Sequence, residues 1–338
     1  MNMGLVRAVA CGIGMAAAIR LARLRRKYSF AGKTVLITGG SRGLGLVLAR
    51  QFFGQGAKVA LLARDEAELQ RAEADLRARG GEVLGLQCDV GDQQQVQRAI
   101  ARIVDRFGAL DVLVNNAGII QVGPFEHMEL RDFEQAMAVH FFGPLYTILA
   151  ALPHLQRQGG GRIINIASIG GKIALPHLLP YSASKFALVG LSDGLRSELR
   201  RRNIYVTTVC PGLMRTGSPR NAQFKGRHRR EYAWFAISDS LPLLSISAER
   251  AARKILEAAR YGSARAVLGM QAEAAVLASE LFPGVTADLL ACINTLLPSA
   301  DSSRGRETYA GAESQSACAP SVLTGLTEAA AARNNEMG

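Results

Sequence analysis

From Lys33 to Gly269 the chain repeats one alternation: a short apolar run, a turn, then a stretch with helical spacing. The runs are "KTVLITGG", "AKVALLAR", "EVLGLQCDV", "LDVLVNNAG", "GRIINIAS", "NIYVTTVCPG" and "ARAVLG". A run that is apolar almost throughout has no polar face to give to water, so it predicts a strand covered on both sides. The segments between them, "LGLVLARQFFGQG" and "QQQVQRAIARIVDRFG" among them, are amphipathic at helical period. Strand–helix–strand crossovers are right-handed and lay their helices on a parallel sheet. The expectation is an α/β fold over residues 30–270: a Rossmann-like, doubly wound parallel sheet of about seven strands with helices on both faces.

The flanks differ in character. The formal net charge is +12, yet residues 1–64 hold 11 of the 40 lysines and arginines and no acid precedes Asp65. The remaining 29 basic residues nearly balance the 28 acids, which argues against a nucleic-acid partner. Residues 1–29 contain the apolar "AVACGIGMAAAI" followed by "RLARLRRK". Twelve helical residues span roughly 18 Å, short of a hydrocarbon layer about 30 Å thick. The segment is expected to associate with a membrane, spanning or interfacial, leaving a cytoplasmic catalytic domain. A cleaved targeting segment and a helix packed on the protein are the alternatives. Residues 271–297 read as two helical stretches broken at "FPG", and the Ser/Ala/Gly-rich 298–338 as a disordered tail. Five scattered cysteines without a CxxC or Cys/His cluster predict reduced thiols and no metal site.

Two motifs carry chemistry. "TGGSRGLG", Thr38 to Gly45, follows the first strand and opens the first helix. Gly39, Gly43 and Gly45, with Ser41, Arg42 and Leu44 between them, would let a dinucleotide pyrophosphate approach the backbone and the positive helix end. An acid closing the second strand would bind a free ribose 2′-hydroxyl. Ala63 and Arg64 stand there instead, and Arg42 lies in the glycine loop. Two guanidinium groups suit a 2′-phosphate. NADP(H) is therefore the expected cofactor, with NAD(H), selected by Asp65, as the alternative. In "YSASK", Tyr181 and Lys185 share one helix face, and Ser168 lies 13 residues upstream at a strand end. A nearby lysine cation would lower the tyrosine's pKa from about 10. The serine would polarise a carbonyl. The trio fits proton transfer to a carbonyl oxygen while a nicotinamide delivers hydride.

Together with "NNAG" (Asn115 to Gly118), "CDV" and "PGLMRT", these motifs resemble the short-chain dehydrogenase/reductase family over about Phe30 to Gly269. The resemblance implies Tyr181 as acid/base, Ser168 as carbonyl orienter, and Lys185 holding the nicotinamide ribose and tuning the tyrosine. It implies Asp89 and Val90 beside the adenine, and Asn116, Ala117 and Gly118 lining that side. Pro211 and Gly212 would lie beside the nicotinamide, with Thr216 on its carboxamide. The family tends to pair subunits through the helix bearing Tyr181, which leaves a homo-oligomer open. This chain departs from the family at "VHFFG": His140 stands where an asparagine helps hold a water connected to the lysine. His140 is either a core histidine or a catalytic participant in proton relay.

Residues 217–246 lie where the family covers its substrate. They combine Phe224, Tyr232, Trp234 and Phe235 with Arg220, Lys225, Arg227, Arg229 and Arg230. An apolar lid with a basic rim suits a lipophilic carbonyl or alcohol: a sterol, a long-chain ketone or aldehyde, or a sphingoid precursor. A solvated loop is the plainer alternative. The expected function is an NADP(H)-dependent dehydrogenase/reductase interconverting a carbonyl and a secondary alcohol. The alternative is a catalytically weak NADPH-binding sensor or scaffold.

Overall fold

The structure, a computed structural model, describes residues 26–300, 305–316 and 318–337. Its main sheet has seven strands: β1 (Thr34–Thr38), β2 (Lys58–Ala63), β3 (Val83–Gln87), β4 (Val112–Asn115), β5 (Gly161–Ile166), β6 (Ile204–Pro211) and β7 (Arg265–Leu268). They pair in the order β7-β6-β5-β4-β1-β2-β3, every pair parallel. The seven apolar runs are these seven strands. The order reverses between β1 and β4, which opens a crevice beyond the carboxyl ends Thr38 and Asn115.

The helices are α1 (Gly43–Phe53), α2 (Glu66–Ala78), α3 (Gln93–Phe107), α4 (Leu130–Met137), α5 (Gly143–Arg157), α6 (Leu179–Leu199), α7 (His228–Ser240), α8 (Ala248–Arg260), α9 (Met270–Leu281), α10 (Pro283–Asn294) and α11 (Gly325–Arg333). Alternate strand residues face opposite ways, so the sheet feeds two cores. Val35, Ile37 and Leu61 pack with Leu48 of α1 and Ile255 of α8. Leu36 and Leu62 pack on the other face with Ile100 of α3 and Ile148 of α5. Side chains cap three of these helices. Asp65 caps α2 by accepting from the Glu68 N–H, Asp92 caps α3, and Ser247 caps α8. Each such cap is worth about 1 kcal/mol.

The helix around His140 is not uniform. A π turn, Ala138–Phe142, joins α4 to α5. The continuous stretch Leu130–Arg157 is the one helix among the described residues long and apolar enough to cross a membrane, with 39% of its apolar window buried. It packs against α3, α6 and β4, as a core helix does. The segment expected to associate with a membrane falls within residues 1–29, of which 1–25 lie outside the described residues.

The lid segment holds a one-turn helix (Ser218–Asn221), α7 and short strands, and the region after Pro298 differs from expectation. In place of a disordered tail, residues 305–337 carry a strand, two 3₁₀ turns and α11. Tyr309–Ala310 pairs with Gln223–Phe224 of the lid, which pairs in turn with Gln121–Val122. The Ala-rich α11 buries Thr327, Ala330 and Ala331, and Thr327 shares a hydroxyl–hydroxyl hydrogen bond with Ser240 of α7. Composition misses this because the segment builds no core of its own; small side chains let it dock on a core already present. The pair α9–α10 exposes Met270, Leu277, Leu281, Phe282, Val285, Leu289, Ile293 and Leu296.

Candidate active site

The crevice is built from backbone. Thr38, closing β1, accepts through Oγ1 from the N–H groups of Asn116 (2.9 Å) and Ala117 (3.0 Å). The Asn116 amide donates to the Thr38 and Gly39 carbonyls, each at 3.0 Å. The "NNAG" segment after β4 therefore clamps the glycine loop after β1. Gly43 has φ +55°, and a Cβ on Gly45 would overlap the Gly39 carbonyl. The loop is thus shaped for close approach of a ligand to main-chain N–H groups at the start of α1. Leu44 turns inward and joins the core.

Around this loop the charges are already engaged. Ser41 donates to Glu68 Oε2 at 3.0 Å, and Arg42 bonds Glu68 Oε1 at 2.6 Å. Arg64 is exposed at the end of β2, while Asp65 is committed to capping α2. Sequence reasoning missed Glu68, which "DEAEL" offers only as one acid in the first turn of a helix. Asp89 accepts from the Gly91 N–H within its own turn (2.9 Å), and Val90 is buried against Gly143. Pro211 ends β6, and Gly212 donates to the Leu268 carbonyl at 3.0 Å. Thr216 is buried, its hydroxyl 2.5 Å from that of Ser218.

Ser168, Tyr181 and Lys185 come together beyond the end of β5. The Ser168 hydroxyl accepts from the Gly170 N–H at 3.0 Å and hydrogen-bonds the Tyr181 phenol. Gly170 leaves room for the ring: a Cβ there would stand 3.1 Å from Tyr181 Cε1. Lys185 Nζ donates to the Ile166 carbonyl at 2.9 Å and lies 5.6 Å from the centre of the Tyr181 ring. Burial pushes Lys185 down from 10.5 to about 7. Burial also pushes Tyr181 up from 10.0 to about 12; the Ser168 bond pulls the other way, and Asp239 and Cys210 add to the rise. The expected lowering by Lys185 is thus not the direction found in this arrangement. The phenol is held protonated, the form that can donate to a carbonyl oxygen. Asp239 of α7, which sequence reasoning also missed, is buried and pushed up to about 8 by that burial.

His140 is fully buried on the π turn. Its Nε2 accepts from the Ile119 N–H at 3.1 Å, so a neutral ring carries its proton on Nδ1. Nδ1 then donates to Ser184 Oγ at 2.8 Å, and that hydroxyl donates to the Tyr181 carbonyl at 2.8 Å. Both ring nitrogens are engaged in tying the "NNAG" segment to α6, one turn from the phenol. Burial, then the charge of Lys185, holds the imidazole well below 6.5. Native His140 binds a proton less readily than the unfolded chain does. Its contribution to stability is therefore intact above 6.5 and is lost as pH falls below that value. The loss is about 1.4 kcal/mol per pH unit at most. We expect His140→Asn to lose this part of the acid sensitivity, read from denaturant midpoints at pH 5 and pH 7. A stability difference between variant and wild type that is equal at the two pH values would refute a neutral His140.

Behind the trio a buried polar chain crosses the sheet. Thr147 donates to Asn115 (2.6 Å), Asn115 to Asn165 (2.9 Å) and Asn165 to Ser192 (3.0 Å). Fully satisfied networks of this kind fix relative position. In front, Tyr181 packs with Ile120, Val122, Leu178, Phe224, Tyr232 and Phe235. The aromatic residues of the lid thus belong to the apolar cluster against which Tyr181 packs. The basic rim does not extend to Lys225, which is buried and bonds Asp132 at 2.6 Å and Glu129 at 3.2 Å. Arg220 pairs with Glu328 of α11 at 3.3 Å. Open clefts of about 350 Å³ between α3 and α5 and about 460 Å³ beside β7 hold none of the trio.

The chain is similar to known proteins. The family pattern described as short chain dehydrogenase matches residues 33–225. Dehydrogenase/reductase SDR family protein 7-like of Anopheles gambiae is 39% identical over 196 residues, 56% of this chain and 62% of that protein. The chain therefore matches less than two thirds of that relative's length. The protein SadH of Mycobacterium tuberculosis is 35% identical over 249 residues, 73% of this chain and 89% of its own. The 3-ketodihydrosphingosine reductase of Mus musculus is 35% identical, over 55% of this chain and 58% of its own. A short chain dehydrogenase/reductase from Burkholderia phymatum in complex with NAD superposes with a TM-score of 0.69 at 26% identity, covering 78% of this chain and 96% of that one. A gluconate 5-dehydrogenase from Burkholderia cenocepacia in complex with NADP and tartrate gives 0.64 at 28%, covering 73% and 98%. On its motifs, its sheet and these relatives, the chain belongs to the short-chain dehydrogenase/reductase family of oxidoreductases.

Proposed function

We propose that the protein is an NADP(H)-dependent oxidoreductase that interconverts a lipophilic carbonyl compound and its secondary alcohol. The observation that carries this reading is the convergence of Ser168, a protonated Tyr181 and Lys185 beside the glycine loop, under an apolar lid. The loop suits a dinucleotide because its shape depends on the missing side chains at Gly43 and Gly45. A bound nicotinamide supplies or accepts the hydride. Tyr181 gives its proton to the carbonyl oxygen in reduction and takes it back in oxidation. Ser168 hydrogen-bonds that oxygen and holds the carbonyl in line. Lys185, buried and near neutral, stands ready to return a proton toward the phenol.

Arg42 and Arg64 support NADP(H) over NAD(H), as does the commitment of Asp65 to its helix cap. Arg42 would exchange Glu68 for the 2′-phosphate. Charge-assisted bonds of about 1.5–3 kcal/mol correspond to roughly ten- to a hundredfold in affinity. The double variant Arg42→Ala, Arg64→Ala should therefore bind NADPH at least tenfold more weakly, with NADH affinity little changed. Wild-type preference for NADH in the same titration would sink the assignment.

The aromatic cluster beside Tyr181 supports a lipophilic substrate, as does the similarity to the mouse 3-ketodihydrosphingosine reductase. The apolar N-terminal segment and the apolar surface of α9–α10 support a cytoplasmic catalytic domain held at a membrane. Exposed Phe186 on α6 is consistent with pairing of two copies. Turnover of a ketone series graded by chain length tests the substrate class: kcat/KM should climb with length, and a flat series would exclude it.

A further inference from the structure

The C-terminal segment reaches the cofactor crevice. The Gly43 N–H, at the very start of α1, donates to the Asn334 carbonyl at 2.9 Å. The Asn335 amide donates to the Ser41 and Glu68 carbonyls, both at 2.9 Å, and accepts from Arg71 at 2.7 Å. Arg50 of α1 holds the Asn334 side chain at 2.9 Å and the Arg333 carbonyl at 3.1 Å. The Glu336 carboxyl is buried, accepts from the Gly217 N–H at 2.6 Å, and lies where a Cβ on Gly43 would meet it at 2.9 Å. Three residues thus span from the glycine loop to the amide that follows Thr216. That is the ground a dinucleotide needs between its adenosine and nicotinamide ends.

We propose that Asn334–Glu336 form a built-in plug of the cofactor crevice, which a nicotinamide dinucleotide must displace to bind. The proposal rests on the dinucleotide reading above. The helix-start N–H that a phosphate would use is already spent on a peptide carbonyl. A carboxyl occupies the space that Gly43 leaves open.

Two features limit the hold, so displacement is within reach of ordinary binding energies. Among the described residues the Asn334 Nδ2 is buried without a hydrogen-bond partner, an unmet donor that weakens the hold. Burial pushes Glu336 up from 4.5 to about 7; the Gly217 N–H and Arg42 pull it down, and Glu68 adds to the rise. The apparent affinity for the nucleotide is then the intrinsic affinity scaled by the fraction of molecules with the plug out.

The test compares the full-length wild type with Asn335→Ala and Glu336→Ala, titrated with NADPH and followed by hydrogen exchange. Both variants should bind NADPH about tenfold more tightly than wild type, with kcat at saturating NADPH unchanged. In wild type, NADPH should slow exchange over residues 38–46 and speed it several-fold over residues 325–337. Equal affinity in all three proteins, with 325–337 unchanged or further protected by NADPH, overturns the plug and leaves the oxidoreductase reading standing. No binding of NADPH or NADH to any of the three overturns both.

Discussion

Replacing Tyr181 by phenylalanine is expected to lower turnover of any carbonyl substrate by roughly a hundred- to ten-thousandfold, the usual contribution of a positioned proton donor. NADPH affinity should stay within about twofold. The exchange removes one oxygen and leaves the ring where it packs against Gly170 and the lid cluster. The phenol is pushed up to about 12, so at neutral pH it is the hydroxyl and not the phenolate that is lost. Losing a proton donor affects a step made only in the transition state, so kcat and kcat/KM should fall together. Steady-state kinetics beside a fluorescence titration with NADPH checks this. If wild type binds NADPH and consumes no carbonyl of a broad panel, the chain is a nucleotide-binding module instead.

Lys185→Met should do two opposite things: cost about a hundredfold or more in kcat/KM and make the protein without nucleotide more stable at neutral pH. Lys185 is 4% exposed, and its ammonium donates to the Ile166 carbonyl. Its folded value, about 7, lies below its ordinary 10.5. The native state therefore binds this proton less readily than the unfolded chain. The cost is full at and below pH 7 and vanishes as pH rises past 10.5. At about 1.4 kcal/mol per unit the burden at pH 7 is on the order of 5 kcal/mol. Methionine leaves the Ile166 carbonyl unpaired, at about 1–3 kcal/mol. A net gain of about 2–4 kcal/mol at pH 7 remains, and it should have turned into a net loss by pH 10.5. Denaturant unfolding at the two pH values reads it directly. A variant less stable than wild type at pH 7 would show that the lysine's burial carries no such cost. A buried residue that weakens the fold while serving the chemistry is what a functional site is expected to contain.

The seven strands were legible because apolar runs act locally. The glycine loop and the trio were legible because each is a fixed spacing whose geometry follows from one strand end or one helix face. Three things were not. Glu68 and Asp239 take their surroundings from partners distant in sequence, and nothing in "DEAEL" or "ISDS" marks an inward carboxyl. The direction of the Tyr181 shift is set by burial, against which the Ser168 hydrogen bond pulls, while the lysine beside it is itself brought close to neutral. Residues 305–337 look unable to fold when scored alone, and they find their order on the lid and the glycine loop.

The π turn at Ala138–Phe142 also fixes how the long helix can change. A π turn amounts to one residue more than an α-helix needs over the same rise. Each residue advances the helix by about 100°, so the turn offsets everything after it by about that angle. α4 lies against α6, whereas α5 lies against α3, and His140 sits at the change of phase. A one-residue deletion in this turn would therefore act as a frameshift in three dimensions. Most of the loop-to-loop length would survive, yet all fifteen residues of α5 would be re-faced, carrying Thr147, Ile148 and Leu155 away from the sheet they now cover. Substitutions at His140 and length changes beside it are thus different experiments: the first alters two hydrogen bonds, the second the bearing of half a helix.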